Sequence, residues 1–506
     1  MAKLSLLALA VGAAAVLVPA PIGAAAGDRH VSPAPLVSTE ALQGSIKMQH
    51  LWARAEKLYE IAKRSVPEYG HPTRVVGSKG HLGTVDYVKS ELAALKGYYN
   101  VSEQVLTTVL GHVNKFRLTV ASRVPSTAEA MYMTPPTAGR KPVSGKLVLV
   151  GDVGCSQADY PAGLAGNIAL IKRGNCSFAV KSERSGRAGA VAAIVYNNEP
   201  GAFNGSLLEP AKNQVATFAL GGTEGAAYAE QLSKGQVLPA TAFVDATVDT
   251  IQTTNVIAQT RGGDASNCVM LSGHSDSVRA GPGINDDGSG SLSVLEVAVQ
   301  LARFSTNNCV RFAWWAAEEE GLVGSNHYAK SLSPDENRKI RVMMDYDMMA
   351  SPNFAYQVYN ATDDVSPAGS QALRDLYIKW YEDHGLNYTL IAFDGRSDYD
   401  GFIKAGIPAG GIATGAEKNK TEAEQAMFGG HAGIAYDVNY HEIGDDLKNL
   451  NLTAWEVNSK LIAHSVATLA RSFDGFPPRG QHAAAENAIT PQSTPQSKYH
   501  GSRLIL

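Results

Sequence analysis

The 506-residue chain has no basic excess, since 44 Lys and Arg stand against 48 Asp and Glu for a formal charge of −4. That balance removes the electrostatic case for nucleic acid or an anionic membrane surface as a partner. Long apolar runs are scarce as well. The run Leu4–Val18 follows Met1-Ala2-Lys3, precedes small residues and prolines, and falls short of the roughly 20 residues a bilayer requires. It reads as a secretory signal peptide covering residues 1–26, and with no later run long enough to span, no membrane anchor is expected. Cysteine is scarce too. Cys155, Cys176, Cys268 and Cys309 are the only four, and in a secreted chain they can form two disulfides. Three pairings are open, with local pairing inside each set the simplest. Composition is otherwise that of a globular protein, at 44% hydrophobic and 18% charged, and the length calls for two or three folded units.

Residues 27–45 are polar, proline-containing and unpatterned, and read as a linker or pro-segment. Helical periodicity marks Leu51–Ser65 and Leu82–Leu95, the latter with Leu82, Val85, Tyr87, Val88, Leu92 and Leu95 as its buried stripe. Strands are expected at Val101–Leu110 and Lys115–Ala121. Over residues 133–248 the texture shifts to short Val- and Ile-rich strands, glycine turns and a helix near Phe178–Gly189. Gly151–Cys155, Gly166–Phe178 and Lys181–Ala190 leading into Ala193–Tyr196 together resemble the protease-associated domain, a module without catalytic groups of its own. Its position implies that a larger domain, 46–132 and 249–472, is split around it. After Thr250 strands alternate with amphipathic helices, so the fold class is α/β, a mostly parallel mixed sheet covered by helices, with the β-rich module inserted. Residues 473–506, rich in Ala, Gln, Pro and Ser, read as a disordered tail.

Chemistry concentrates at Leu271–Gly290, where a strand, a long loop and a helix carry His274, Asp286 and Asp287. In open α/β sheets, ligands bind beyond the carboxyl ends of strands, which is where His274 falls. A lone His is ordinarily a hydrogen-bonded loop residue, and an Asp at a helix start ordinarily a cap. Company alters both readings. Glu318-Glu319-Glu320 ends a second apolar strand, Asp347 ends a third, and His441 arrives from a late loop. Adjacent carboxylates there are costly without cations, and two imidazoles among carboxylates suit zinc. A serine hydrolase is disfavoured, because Gly395-Arg-Ser-Asp-Tyr399 lacks the closing glycine of a nucleophile elbow.

The runs Gly281–Gly290, Phe312–Glu319, Asp347–Asn353, Gly395–Asp398 and Phe402–Gly411 resemble, in order, the secreted and vacuolar two-zinc aminopeptidases typified by aminopeptidase Y and the fungal leucine aminopeptidases. The resemblance implies two Zn²⁺ per chain, Asp286 bridging them, His274 and Asp347 on one, and Glu319 and His441 on the other. It further implies Glu318 as general base for attack by zinc-bound hydroxide, Asp276 orienting His274, Tyr440 donating to the oxyanion, and Arg396 close to substrate. Peptides with a free N-terminus, leucine-like at that position, are the implied substrates of a monomeric, secreted enzyme, or one of a vacuolar or lysosome-like lumen. A carboxypeptidase or dipeptidase on the same core and a non-catalytic receptor are the competing readings. Sequons at Asn100, Asn204, Asn360, Asn387, Asn419 and Asn451 fit glycosylation in a secretory pathway. Two departures stand out. Asp437-Val-Asn-Tyr-His441 lacks the cysteine staple common in the family, and Glu320 replaces an apolar residue, which predicts a more acidic approach to the site.

Overall fold

Val269, Met270 and Leu271 form an apolar run with no polar residue alternating within it, and all three are fully buried in the strand Asp264–His274. Alternate side chains of a strand point to opposite faces, so both faces of this one must be covered. The computed structural model, which describes residues 34–203, 205–208 and 210–480, shows how. Val269 and Leu271 join a core built with the helices Met48–Ala62, Lys79–Ala93, Gly288–Leu301, Ser370–Asp383 and Leu452–Arg471. Met270 faces the other way, into Trp315, Tyr328 and Phe402 beneath the helices Val323–Ser331 and Asp400–Lys404.

The strands Ala409–Ala413, Ile340–Tyr346, Asp264–His274 and Asn308–Trp315 are neighbours in that order and all parallel. Their carboxyl ends therefore share one edge. Beyond Asn308–Trp315 lies Pro239–Thr260, antiparallel to it and also paired, along its length, with Tyr99–Val120. These two 22-residue strands form a ribbon about 70 Å long at ~3.3 Å per residue. At its far end Pro239–Ala242 pairs with Val143–Lys146, and the sheet continues through the parallel strands Ile168–Lys172, Ala192–Tyr196 and Thr217–Leu220. Thirteen described strands thus make one mixed sheet, and the junction drawn at 248/249 falls inside a strand. The two strands expected at 101–110 and 115–121 are one, offset by a bulge between Val113 and Lys115.

Three further expectations differ from the structure. The segment read as a linker or pro-segment contains the helix Thr39–Ser45, capped by Ser38, whose Oγ accepts from Ala41 N–H at 3.2 Å. Val37, Leu42 and Ile46 are fully buried, and Thr39 Oγ1 meets His464 Nδ1 at 2.6 Å on the last helix. The segment is short, with few apolar residues, so its periodicity could not announce it. Leu82, placed in the buried stripe, is 52% exposed, because the inward face of its helix is Gly80, His81, Thr84, Val85, Val88 and Leu92. The tail begins later than expected, since Phe473 packs edge-on against Phe476 and Arg479 donates to Asn337 Oδ1 at 2.7 Å. The signal-peptide segment and residues beyond 480 lie outside the described residues. No described helix is long and apolar enough to cross a membrane.

Leu42→Ala should lower unfolding free energy by about 2–5 kcal/mol, the ordinary cost of emptying a filled core position. Urea denaturation measures it, and an unchanged midpoint would show the segment to be dispensable.

Candidate metal centre

The shared edge gathers what the sequence scattered. His274 is the last residue of its strand, Glu318 and Glu319 follow the end of Asn308–Trp315, Asp347 follows Tyr346, and Asp286 precedes the helix Gly288–Leu301. His441 comes in from the late loop. Asp286 stands between the two imidazoles, its Oδ1 3.1 Å from His274 Nε2 and its Oδ2 3.0 Å from His441 Nε2. On the first side Asp347 Oδ1 lies 3.8 Å and Glu318 Oε2 4.0 Å from His274 Nε2. On the second, Glu319 Oε2 is 3.1 Å from His441 Nε2. All of the expected ligands and the expected base are therefore brought together.

The donor set fits divalent cations. Asp347 Oδ1 is buried without a hydrogen-bond partner, and ligand atoms of His274, Asp286 and Glu319 lie within 4.8 Å of one another. Burial opposes charge on both imidazoles, yet the surrounding carboxylates hold His274 well above its usual pKa and push His441 up to about 10. Burial drives Glu318 well above the carboxylate range, with Asp398, Glu319 and Asp347 adding to it. A site that draws positive charge this strongly is one that cations complete. Asp287 also approaches His274 and Asp347, but its oxygens are engaged: Oδ2 accepts from His274 N–H at 3.0 Å, and Oδ1 from Gly290 and Met348 N–H at 2.9 and 3.1 Å. It caps the helix and joins two strands behind the centre. A Cβ on Gly290 would fall 2.0 Å from Tyr346 O, which explains the glycine there.

A second layer, mostly invisible in sequence, fixes these ligands. Asp276, fully buried, accepts from the backbone N–H of Glu318 at 3.2 Å and of Glu319 at 3.3 Å, and stands 3.7 Å from His274 Nδ1. It thus holds the Glu318-Glu319 turn as well as facing the imidazole. Arg74, also fully buried, donates to the carbonyls of Ser275, Pro282 and Gly283 at 2.5, 2.8 and 2.5 Å, and so ties down the loop between His274 and Asp286. Burial pulls its pKa down while Asp276, Asp287, Asp445 and Asp286 offset that loss. Sequence reasoning misses Arg74, because nothing in Pro72-Thr-Arg-Val-Val distinguishes it from a surface arginine.

The loop around His441 is stapled without cysteine. Asn449 Nδ2 donates to Asp437 Oδ2 at 2.8 Å and to Asp445 Oδ1 at 3.1 Å. Asp437 Oδ2 also accepts from Asn285 Nδ2 at 2.7 Å, and Asp445 accepts the N–H groups of Asn285 and Asp286 at 2.8 and 3.0 Å. One buried network therefore joins the segments bearing His441 and Asp286. Tyr440 stacks on His441 with centroids 3.7 Å apart. Arg396 pairs with Glu417 at 3.1 Å, and with Asp347, Met348, Tyr359 and Tyr440 it lines a cavity of about 160 Å³. The acidic approach expected of Glu320 is muted. Tyr132 donates to its carboxyl, which burial pushes up to about 8. The cysteines pair locally, Cys155 with Cys176 and Cys268 with Cys309, the second bond joining adjacent strands.

A helix-covered mixed sheet that presents two imidazoles and a shared carboxylate at its carboxyl edge defines a class, the metal-dependent hydrolases of open α/β sheets. Similarity to known proteins narrows the class to a family. The family described as "Peptidase family M28" matches residues 255–466, and "PA domain" matches 143–239. Aminopeptidase Y of Saccharomyces cerevisiae is 47% identical over 482 residues, 93% of this chain and 88% of its own length. Leucine aminopeptidase 2 of Trichophyton equinum is 43% identical over 464 residues, 90% of this chain and 91% of its own. Among solved structures, an aminopeptidase from Aneurinibacillus sp. strain AM-1 superposes with a TM-score of 0.70 at 29% identity, covering 86% of this chain and 97% of the other. The chain belongs to peptidase family M28 and carries a PA domain.

Asn449→Leu keeps the side chain's branching but withdraws donors from two buried carboxylates, and should cost about 1–3 kcal/mol. Thermal melts and the rate of metal loss to a chelator should both register it. Unchanged values of both would show that the loop is held by something else.

Proposed function

We propose that this protein is a secreted aminopeptidase that binds two zinc ions and removes N-terminal, leucine-like residues from peptides. The observation that carries the reading is Asp286, whose two oxygens face two separate imidazoles at 3.1 and 3.0 Å, so that each oxygen could serve a different ion. His274 and Asp347 would hold one ion, Glu319 and His441 the other, a mixed imidazole and carboxylate set suited to zinc. Bound zinc supplies acidification of a water molecule and polarisation of the scissile carbonyl. The relatives named aminopeptidase Y and leucine aminopeptidase 2 support the exopeptidase assignment.

The chain's own groups account for the remaining steps. Glu318, buried beside His274, takes the proton of the attacking water and returns it to the leaving amine. Asp276 holds the Glu318 and Glu319 backbone so that the base and the adjacent ligand keep a fixed spacing. Tyr440, its ring fixed on His441, donates to the developing oxyanion. Met348, Tyr359 and Ile391 give the cavity beside Asp347 apolar walls for the substrate's first side chain, with Arg396 and Glu417 at its border. A protonated α-amino group, pKa about 7.7–8.0, lies against the carboxylates of the centre, which favours a free N-terminus. Secretion draws support from the two disulfides and from sequons whose asparagines, Asn100, Asn360, Asn387 and Asn419, are exposed. Asn451 is half-buried and caps the last helix through Ala454 N–H, which makes it the poorest glycan acceptor of the described set. Asn204 lies outside the described residues.

Purified protein should release leucine from a leucine arylamide and leave the N-acetylated compound intact. Cleavage of only the blocked substrate would remove the assignment. Glu318→Gln should retain its metal, counted by elemental analysis, while kcat falls on the order of 10²- to 10⁴-fold. Undiminished turnover would place the base elsewhere.

A further inference from the structure

A second cavity, of about 390 Å³, opens on Glu319 and His441, on the other side of the centre from the pocket that Asp347 and Met348 line. One wall is the long ribbon at Leu110–Val113, and another is the segment at Glu129–Tyr132 that pairs with the inserted module's strand Thr217–Leu220. The third carries Arg279. Its backbone is closely fixed. The neighbouring Val278 N–H donates to Glu319 Oε1 at 3.0 Å, and a Cβ on Gly281 would fall 2.1 Å from Glu442 O, beside His441. The guanidinium lies 4.7 Å over the Tyr69 ring and, among the described residues, makes no ion pair or hydrogen bond.

Two of the three acids lining this cavity are engaged elsewhere, and none pairs with Arg279. Glu319 faces His441, Glu320 accepts from Tyr132, and Glu129 is exposed at the border. Exposed Glu68 influences Arg279 without pairing with it. A half-buried guanidinium stacked on an aromatic face keeps its edge donors free, and its fork matches a carboxylate in two parallel hydrogen bonds. With the N-terminal residue on the Asp347 side, this cavity receives the residues beyond the scissile bond. We propose that Arg279 binds a carboxylate on the leaving part of the substrate, so that specificity depends on the residues after the cut as well as the one before it.

This inference rests on the aminopeptidase reading. The carboxylate has two possible sources, an acidic side chain or the C-terminus of a short peptide, and two substrate pairs separate them. Leu-Gly-Gly is compared with its C-terminal amide, and Leu-Glu-Gly-amide with Leu-Gln-Gly-amide. At least one pair should favour its carboxylate member about tenfold in kcat/KM, carried mainly by KM. Arg279→Gln should bring that ratio close to one, while Arg279→Lys, which keeps the charge and loses the fork, should retain part of it. Ratios near one for both pairs in the unmodified enzyme, or a ratio undiminished in Arg279→Gln, would overturn the proposal. Leucine arylamide, which has no such carboxylate, separates the two readings. Its hydrolysis alongside flat ratios removes only the role of Arg279, whereas no release from any substrate with a free N-terminus removes the aminopeptidase reading and this one with it.

Discussion

One carboxylate sets the terms for the rest of the structure. Asp286 turns one oxygen to each of two imidazoles that come from distant parts of the sequence, His274 and His441. Concentrating Glu318, Glu319, Asp347 and Asp286 in a buried volume is unfavourable, because each charge loses water and repels its neighbours. Cations relieve that cost. A fold that keeps such a cluster assembled must hold its backbone firmly by other means, and here the means are hydrogen bonds to groups outside the proposed ligand set.

Those groups divide the work. Arg74 ties the carbonyls between His274 and Asp286, Asp276 ties the amides of Glu318 and Glu319, and Asp287 ties His274 to Met348 and to the helix start. Asp445 and Asn449 then link the late loop to Asn285 and Asp286. This loop has no cysteine, and an amide shared between two carboxylates holds it instead. Such a network is fully satisfied by geometry alone, and its strength in a low-dielectric interior depends on every member being present. It also couples the two sides of the centre directly, which a bridge within the loop would not do.

How far the site was legible in the sequence depends on the same division. His274, Glu319 and Asp347 sit at or just beyond strand ends next to apolar runs, and Asp286, Glu319 and Asp347 occur in order in motifs that mark a family. The supporting groups carry no such signal. Arg74 lies in a loop between two helices, and Asn449 in a polar stretch that reads as solvated surface until Asp437 and Asp445 fold back onto it. The parallel core was legible because Val269–Leu271 and Val342–Met344 are continuous apolar runs, whereas the helix at Thr39–Ser45 was not, since only Leu42 within it is buried. The ribbon was half-read for a related reason. Gly111–Asn114 looks like a break between strands, and only pairing with Pro239–Thr260 carries one strand across it.

That ribbon changes what the inserted module is. A module joined by flexible linkers could swing, but here the sheet runs unbroken from Asp264–His274 through Pro239–Thr260 to Val143–Leu149 and beyond. The antiparallel pairing at the junction leaves no free backbone hinge, so the cavity wall at Glu129–Tyr132 is held at a defined distance from Glu319. Tyr132 reinforces this by donating to Glu320, one residue from a ligand. The segment paired with the module's strand Thr217–Leu220 thereby walls the cavity that opens on Glu319 and His441. Arg279 lines the same cavity, stacked on Tyr69, and pairs with no anion among the described residues.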